Sequence, residues 1–147
     1  MVKTRTQPIC ISPLPTPNQP VQILHCDGRL DNRDDLRLKL NESLRGNTGD
    51  AALALAAYER WGTDGLVHLI GDWSVVIRDR ANGAVILASD FAGVRPLYYH
   101  VRDGNVLWSG RLEPLVDETN ISELDEQYIA GFLTVGGCPN RTPYKGI

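Results

Sequence analysis

Apolar and polar positions along the first half of the chain predict a strand followed by a helix. Residues 21–27 are mostly apolar and stop at Gly28, which predicts a strand that ends in a tight turn. Asn32 belongs to a residue type that caps helices, so we predict that a helix follows it. The apolar positions of this helix are Leu36, Leu38, Leu40 and Leu44.

A second helix is predicted to begin near Thr48 or Asp50, either of which suits the N-cap, and to end at Gly62. Its apolar stripe consists of Leu53, Ala56, Ala57, Tyr58 and Trp61. Thr63 is then predicted to cap a short helical piece that carries Leu66, Leu69 and Ile70.

From residue 72 to residue 109 the pattern changes to short apolar runs that are typical of strands. The runs are Trp73–Ile77, Ala84–Ala88, Leu97–Val101 and Val106–Trp108. Asn82-Gly83 and Asp103-Gly104 are sequences that suit tight hairpins. We therefore predict one antiparallel meander whose first and last pairs of strands are closed by short turns.

The last helix is predicted to start at Ser122, which has Asp125 three residues on, and to run through Gly131. The residues that follow, 136–147, are rich in turn formers. With two helices before the meander and one after it, the chain is predicted to form an α+β domain with helices layered on antiparallel sheet.

Proline dominates the first twenty residues, with Pro8, Pro13, Pro15, Pro17 and Pro20. Each proline fixes φ and lacks an amide donor, so residues 1–20 are predicted to be an extended segment without a helix or a central strand. The remaining residues, 21–147, are predicted to form one globular domain, which is large enough to bury most of its unfolded surface.

Charge and composition argue against several classes of partner. The formal net charge is -3 and the 15 Lys and Arg residues form no basic stripe, which disfavours nucleic acids. The apolar runs fall well short of the roughly 20 residues that a membrane span needs. Cys10, Cys26 and Cys138 are an odd number without CxxC spacing, which fits a reducing compartment. We therefore expect a cytoplasmic protein.

Residue types that commonly bind metals or bases are scattered along the chain. His25, His68 and His100 lack ligand spacing, so we assign no metal and no cofactor. The aromatic residues Trp61, Trp73, Trp108, Tyr98 and Tyr99 are predicted to pack in the core. Either Tyr98 or Tyr99 is expected to face solvent, because neighbours on a strand point to opposite faces.

Three segments carry specific motifs. Residues 27–36 read Asp-Gly-Arg-Leu-Asp-Asn-Arg-Asp-Asp-Leu, residues 89–99 read Ser-Asp-Phe-Ala-Gly-Val-Arg-Pro-Leu-Tyr-Tyr, and residues 141–147 read Arg-Thr-Pro-Tyr-Lys-Gly-Ile. They resemble segments of class II glutamine amidotransferases, the asparagine synthetase family in particular. The family patterns are Asn-Gly-Glu-Ile-Tyr-Asn-His-x-Glu-Leu, Arg-Asp-Pro-Phe-Gly-Val-Arg-Pro-Leu-Tyr-Tyr and Arg-Thr-(hydrophobic)-Phe-x-Gly-Ile.

This resemblance covers roughly residues 20 to 147. It implies an Ntn-hydrolase-like fold with a layered αββα architecture, from which the first strands are missing in this chain. Residues 21–147 are therefore interpreted as an incomplete amidotransferase-like domain.

The chemistry implied by the resemblance depends on an amino-terminal cysteine. In that family the cysteine attacks the glutamine amide, and its α-amino group, with a typical pKa of about 7.7–8.0, serves as the base. Here Met1 is followed by Val2, so we assign no catalytic residue. Cys10 is the only early thiol, but its nitrogen is a peptide amide that cannot accept the proton. We interpret Cys10 as an ordinary small residue.

The resemblance also implies an oxyanion hole at Asp27 and Gly28 and a substrate contact at Asp50. Gly28 can donate its backbone N–H, but an ionised Asp27 cannot donate and would repel the oxyanion; losing one such donor typically costs about 10²–10³ in rate. Asp50 matches the carboxylate that pairs with the α-ammonium group of the substrate, and it equally suits a helix N-cap. Arg95 is predicted to pair with Asp90 or a neighbouring carboxylate, and contact with a ligand is the less favoured alternative.

Three functions are consistent with these residues. The first is a non-hydrolysing scaffold for an ATP-dependent amide-forming synthetase, the second an active glutaminase half completed by missing residues, and the third a freestanding amino-acid-binding or interaction module. We favour the first, because the cysteine is absent and Asp27 occupies the oxyanion position. The expected partners are glutamine or another amino acid, a synthetase domain or subunit, and a second copy of the chain, since exposed sheet edges recruit strands.

Overall fold

Strands and helices occur in groups along the chain in a computed structural model that describes residues 10–12, 21–40, 49–138 and 140–147. The strands are β1 (Cys10–Ser12), β2 (Gln22–Leu30), β3 (Gly71–Asp79), β4 (Ala84–Ser89), β5 (Tyr98–Arg102) and β6 (Asn105–Ser109). The helices are α1 (Arg33–Leu40), α2 (Asp50–Trp61), α3 (Leu112–Thr119) and α4 (Glu126–Val135), with a 3-10 helix at Gly62–His68. The α+β prediction is confirmed.

The chain divides into two compact units. In the first, Leu14–Leu97, an antiparallel three-stranded sheet has the order β2-β3-β4. Strand β3 is buried on both of its faces, since Trp73, Val75 and Ile77 alternate with the fully buried Ser74 and Val76. Trp73, Val75 and Ile77 belong to one apolar cluster with residues of α1, α2 and the 3-10 helix, among them Leu36, Leu40, Leu53, Ala57 and Leu66.

The second unit consists of Met1–Pro13 and Tyr98–Ile147. Its antiparallel sheet has the order β1-β6-β5, and α3 packs against β5 and β6. Trp108 of β6 and Leu115 of α3 are buried. Strand β1 lies within the Pro-rich segment and was not predicted as a strand; residues 1–9 and 13–20 of that segment lie outside the described residues.

The single meander that the sequence predicted is wrong. Both hairpins form at the predicted turns, between β3 and β4 and between β5 and β6. Strands β4 and β5, however, belong to different sheets. The connection between them holds Gly93, at a φ of 63°, and Pro96, which has no amide to donate to a ladder. A tight turn forces two strands to pair, whereas this longer connection leaves them free to join separate sheets.

Helix positions were predicted with mixed success in the first unit. Leu36 and Leu40 are buried as expected, but Leu38 is 82% exposed, and Leu44 lies outside the described residues. Helix α2 ends at Gly62 as predicted. Trp61, predicted to be in the core, is only partly buried.

The N-caps observed for α2 and the 3-10 helix differ from the predicted ones. The N-cap of α2 is Gly49, so Asp50 is the first helical residue and not the cap, while Thr48 lies outside the described residues. The 3-10 helix has Trp61, not Thr63, at its N-cap. Asn32 precedes α1, but its side chain donates to the His68 carbonyl and accepts from the Ile70 amide, which ties the start of α1 to the end of the 3-10 helix.

The second unit contains a helix that the sequence did not predict. Helix α3 has Pro114 in its first turn, where the missing amide is tolerated because that turn has no intrahelical acceptor to use it. The predicted start of α4 at Ser122 is also wrong. Asp125 is the N-cap, and its carboxylate accepts from the backbone amides of Gln127 and Tyr128 at 2.9 and 3.1 Å.

A buried carboxylate joins α2 to the β3–β4 hairpin. Asp79 is 4% exposed, and its Oδ2 accepts from the Tyr58 hydroxyl at 2.9 Å and from Asn82 Nδ2 at 2.7 Å. The hydrogen bonds, that of the Asn82 side chain above all, lower the pKa of Asp79. Burial, together with the bond to Asp79, raises the pKa of Tyr58 to about 12.

We predict that Tyr58→Phe lowers the free energy of unfolding by about 1–3 kcal/mol at pH 7, because the buried carboxylate loses a donor. The folded-state pKa of Asp79 is depressed, so its ionised form stabilises the fold above the unfolded value of about 3.9, and this stabilisation is lost as the pH falls through the folded pKa. The cost of the substitution, measured by urea unfolding, should therefore shrink below pH 4.

Tyr99→Phe is the matched control, because the Tyr99 side chain is 50% exposed. It should change stability little at either pH. A Tyr58→Phe variant as stable as the parent at pH 7 would contradict the prediction.

Candidate functional site

The end of β2 brings the chain into very close contact with β3. Gly28 lies opposite Trp73 and has a φ of +114°, a value that L side chains rarely adopt. A Cβ atom at Gly28 would lie 1.9 Å from the Asp72 carbonyl oxygen. Only glycine fits this position, so its place in the Asp-Gly motif has a structural cause as well as the implied catalytic one.

Asp50 connects the end of β2 to the starts of α1 and α2. Its Oδ2 accepts from Arg33 Nη2 at 2.6 Å and from the Leu30 amide at 3.3 Å. The side chain of Asp50 is 16% exposed, and its Oδ1 is buried without a hydrogen-bond partner among the described residues. Asp50, the side chain that the resemblance implies as a substrate contact, is thus already paired with a cation of this chain.

Two of the three predicted site residues line one small cavity. The cavity has a volume of about 10 Å³, close to the space for a single water molecule, and Gly28 and Asp50 both border it. Cys26, Leu30, Ala54 and Trp73 are among its other lining residues. Asp27 does not line this cavity.

The alternation of side chains along β2 explains why Asp27 does not line the cavity with Gly28 and Asp50. Neighbours on a strand point to opposite faces, so Asp27 faces away from Cys26 and Asp50. It lies opposite Ser74 on β3, and the Ser74 hydroxyl is 3.5 Å from His25 Nε2. Burial lowers the pKa of His25, although the negative charge of Asp27 opposes this shift. Ser74 is fully buried and therefore inaccessible to a substrate.

Cys26 is the thiol nearest to the predicted site. Burial raises its pKa, and the negative charges of Asp50 and Asp27 raise it further. A thiol in such surroundings stays protonated at neutral pH and is a poor nucleophile. Cys10 lies in β1, and its side chain lies outside the described residues.

The turn after β4 is held by Asp90. Its carboxylate accepts from the Trp73 amide at 3.3 Å and the Ala92 amide at 2.9 Å. The predicted pair between Asp90 and Arg95 is not among the ion pairs of the described residues. The turn is thus closed by backbone donors, and Arg95 is exposed.

A larger groove of about 730 Å³ lies beside this turn, between the 3-10 helix and β4. It is mainly apolar and was missed by the sequence analysis. Val67, Ile70 and Phe91 on its rim are 82%, 60% and 109% exposed. Val67 and Phe91 lay outside the apolar patterns of the predicted elements, whereas Ile70 was placed within one.

The three histidines have separate surroundings. His68 meets the Trp61 ring edge-on, with centroids 5.0 Å apart, and His100 Nδ1 lies 2.8 Å from the Gly146 carbonyl oxygen. Within the described ranges, no three His, Cys, Asp or Glu residues come together as a metal site. No helix in those same ranges is long and apolar enough to cross a membrane.

Comparison with known proteins gives a family for the chain. A family model described as a glutamine amidotransferase domain matches residues 7–147. The chain belongs to this family. The match starts earlier than residue 20, where the motifs had placed the beginning of the resemblance, and the Ntn-hydrolase type of the family agrees with the prediction.

Curated relatives of this amidotransferase domain are named as glutamine-hydrolyzing asparagine synthetases. One from Methanocaldococcus jannaschii is 28% identical over 127 residues, which are 84% of this chain and 24% of the relative. One from Mycobacterium tuberculosis is 24% identical over 148 residues, which are 96% of this chain and 22% of the relative. One from Asparagus officinalis is 29% identical over 97 residues, 65% of this chain and 16% of the relative. The chain spans about a quarter or less of the length of these proteins.

Arg33 is the residue at this site that the sequence analysis missed. A signal was present, because the family pattern has His where this amidotransferase domain has Arg33, and Glu where it has Arg29. Both arginines follow the Asp-Gly pair closely. Their proximity to Asp50 depends on how β2, α1 and α2 pack, which the motif alone does not give.

We predict that Gly28→Ala destabilises the domain by about 2–4 kcal/mol, since the strain of the positive φ adds to overlap with the Asp72 carbonyl. Gly83→Ala is the matched control, because Gly83 also has a positive φ but nothing lies within 4 Å of its added Cβ. It should cost about 1 kcal/mol. Thermal unfolding of both variants checks this, and equal losses would show that the close approach at Gly28 is not rigid.

Proposed function

We propose that this glutamine amidotransferase domain does not hydrolyse glutamine and instead serves as a structural partner of an ATP-dependent amide-forming synthetase. The observation that carries the proposal is Asp27, a carboxylate beside Gly28 where the family pattern has asparagine. Amide hydrolysis builds up negative charge on the carbonyl oxygen, and a neighbouring carboxylate repels that charge. The Gly28 amide would have to stabilise the oxyanion without the side-chain amide donor that the asparagine of the family pattern supplies.

Surroundings at Asp50 and Cys26 support the same proposal. The carboxylate that would hold the substrate's ammonium group is paired with Arg33 at 2.6 Å. The pKa of the Cys26 thiol is raised, which makes it unsuited to replace an amino-terminal nucleophile. Each feature opposes a different requirement of glutamine hydrolysis, namely oxyanion stabilisation, substrate binding and nucleophilic attack.

A partner role is supported by the exposed apolar surface of α4. The helix has no buried residue among its ten, yet it carries Leu133 at 77% exposure and Val135 at 80%. Exposed apolar groups of this kind are typical of protein interfaces. The three relatives named above are about four to six times as long as the regions matched here, and their names describe a synthetase that hydrolyses glutamine.

We predict that the purified chain releases no ammonia from glutamine above a buffer blank. Asp27→Asn removes the repelling charge and restores a hydrogen-bond donor. If any variant shows a higher rate of ammonia release, it should be this one, and the increase should not exceed about 10²–10³-fold. Asp31→Asn is the matched control, because it makes the same change at an exposed aspartate four residues away. Ammonia release by the parent chain above the buffer blank would contradict the proposal.

We further propose that the chain self-associates through an exposed strand. Strand β5 is an outer strand of its sheet among the described residues, and Tyr99 and Val101 on it are 50% and 58% exposed. Outer strands with exposed apolar side chains pair readily with other chains unless a charge blocks them.

Sedimentation velocity should therefore show a dimer or larger species, and Val101→Lys should shift it toward monomer. Leu38→Lys, on the exposed face of α1, is the matched control and should leave the distribution unchanged. A parent chain that is monomeric at high concentration would contradict this expectation.

A further inference from the structure

Among the described residues that line the small cavity, only Asp50 has a carboxylate, and Arg33 is paired with it. Arg33 Nη2 donates to Asp50 Oδ2 at 2.6 Å, a distance typical of a strong charge-assisted bond. Asp50 Oδ1 points into buried space without a partner among the described residues. One oxygen of the carboxylate is therefore paired with Arg33, while the other is buried and out of reach of a ligand that arrives from solvent.

A mostly buried carboxylate needs a compensating cation or several donors. Within the described residues, Arg33 is the one cationic side chain that forms an ion pair with Asp50. The Leu30 amide adds a single longer bond of 3.3 Å. Any ammonium group that binds Asp50 closely must therefore compete with the Arg33 guanidinium for the same oxygen.

The two partners differ in their freedom to move. Asp50 is 16% exposed and begins α2, whereas the Arg33 side chain is 47% exposed and stands at the start of α1. The backbone of α1 is fixed by the burial of Leu36 and by the side-chain bonds of Asn32. The long arginine side chain can thus leave Asp50 for solvent without disturbing the helix.

We propose that Arg33 is a built-in occupant of an ammonium-binding site at Asp50, and that it keeps free amino acids from binding there. This inference rests on the proposed assignment of Asp50 as an amino-acid contact. A site that is closed for nine-tenths of the time weakens the apparent affinity of a ligand about tenfold. Arg33 therefore determines specificity at this site, and removing its charge opens the site to a compact cation.

A purely structural ion pair leads to a different expectation. If Arg33 only fastens α1 to α2, its removal lowers stability and leaves amino-acid binding absent. If it occupies a binding site, its removal lowers stability and also creates binding that depends on the ligand's ammonium group. Ligand binding separates the two roles, whereas stability alone does not.

The experiment compares the full chain with Arg33→Gln by isothermal titration with L-glutamine and with glutaramate, which has the same amide and carboxylate but no α-ammonium group. The variant should bind L-glutamine at least tenfold more tightly than the parent, with no gain for glutaramate. Arg37→Gln is the matched control, because Arg37 is also on α1 and pairs with Asp34 on the surface. It should behave as the parent does.

The double variant Arg33→Gln with Asp50→Asn should lose the gained binding, because the carboxylate is gone. Arg33→Lys is a second variant for the event that Arg33→Gln does not fold, because it keeps a cation beside Asp50. The lysine ammonium group pairs with a carboxylate less firmly than a guanidinium does. A gain of a few-fold is expected for it. No gain in any folded Arg33 variant, or an equal gain for glutaramate, overturns the inference. Ammonia release is a separate measurement, so either proposal can fail without the other.

Discussion

The carboxylate of Asp50 is the contact on which the first unit and its candidate site both depend. It accepts from the Leu30 amide at the end of β2 and from Arg33 at the start of α1, and it is itself the first residue of α2. A negative charge in the first turn of a helix is favourable because of the helix dipole. Three elements thus meet at one buried charge, and a residue that would hold a substrate also holds the fold together.

Strand β2 divides the candidate site between two faces. Cys26 and Gly28 border the small cavity with Asp50, while Asp27 and His25 lie on the side of Ser74. Gly28 has no side chain, so the alternation of side chains along β2 does not assign it to either face. The separation follows from the period of two in a strand, and a motif of adjacent residues cannot display it.

Local signals in the sequence were sufficient for the elements but not for their assembly. Asn82-Gly83 and Asp103-Gly104 gave the correct hairpins because their turn conformations depend on the residues themselves. The division of the strands into two sheets was missed, since it depends on contacts between residues far apart in sequence. The apolar positions of α1 were given as one set with Leu38, although only Leu36 and Leu40 fall on the face that packs. Helix α3, which has Pro114 in its first turn, was not predicted.

The motifs predicted the family, while the charges around Gly28 and Asp50 required the structure. Relative to the family pattern, this chain has Asp27 for Asn, Arg29 for Glu and Arg33 for His. Arg33 adds positive charge beside the Asp50 carboxylate, whereas Arg29 pairs with Asp31 at 3.0 Å. Asp27 adds negative charge where an oxyanion would form.

The signs of these changes matter more than their number. Exposed charges scattered over a surface typically contribute less than about 1 kcal/mol each, so changes among them have little effect on chemistry. Two of these changes, Asp27 and Arg33, oppose the charges that glutamine hydrolysis in the family would bring to their positions, an anion at Gly28 and a cation at Asp50. Arg33 acts at a contact of 2.6 Å to a mostly buried group, where solvent screens least. This is why the proposal of a domain that does not hydrolyse glutamine depends on two charges and not on the fold, which the family shares.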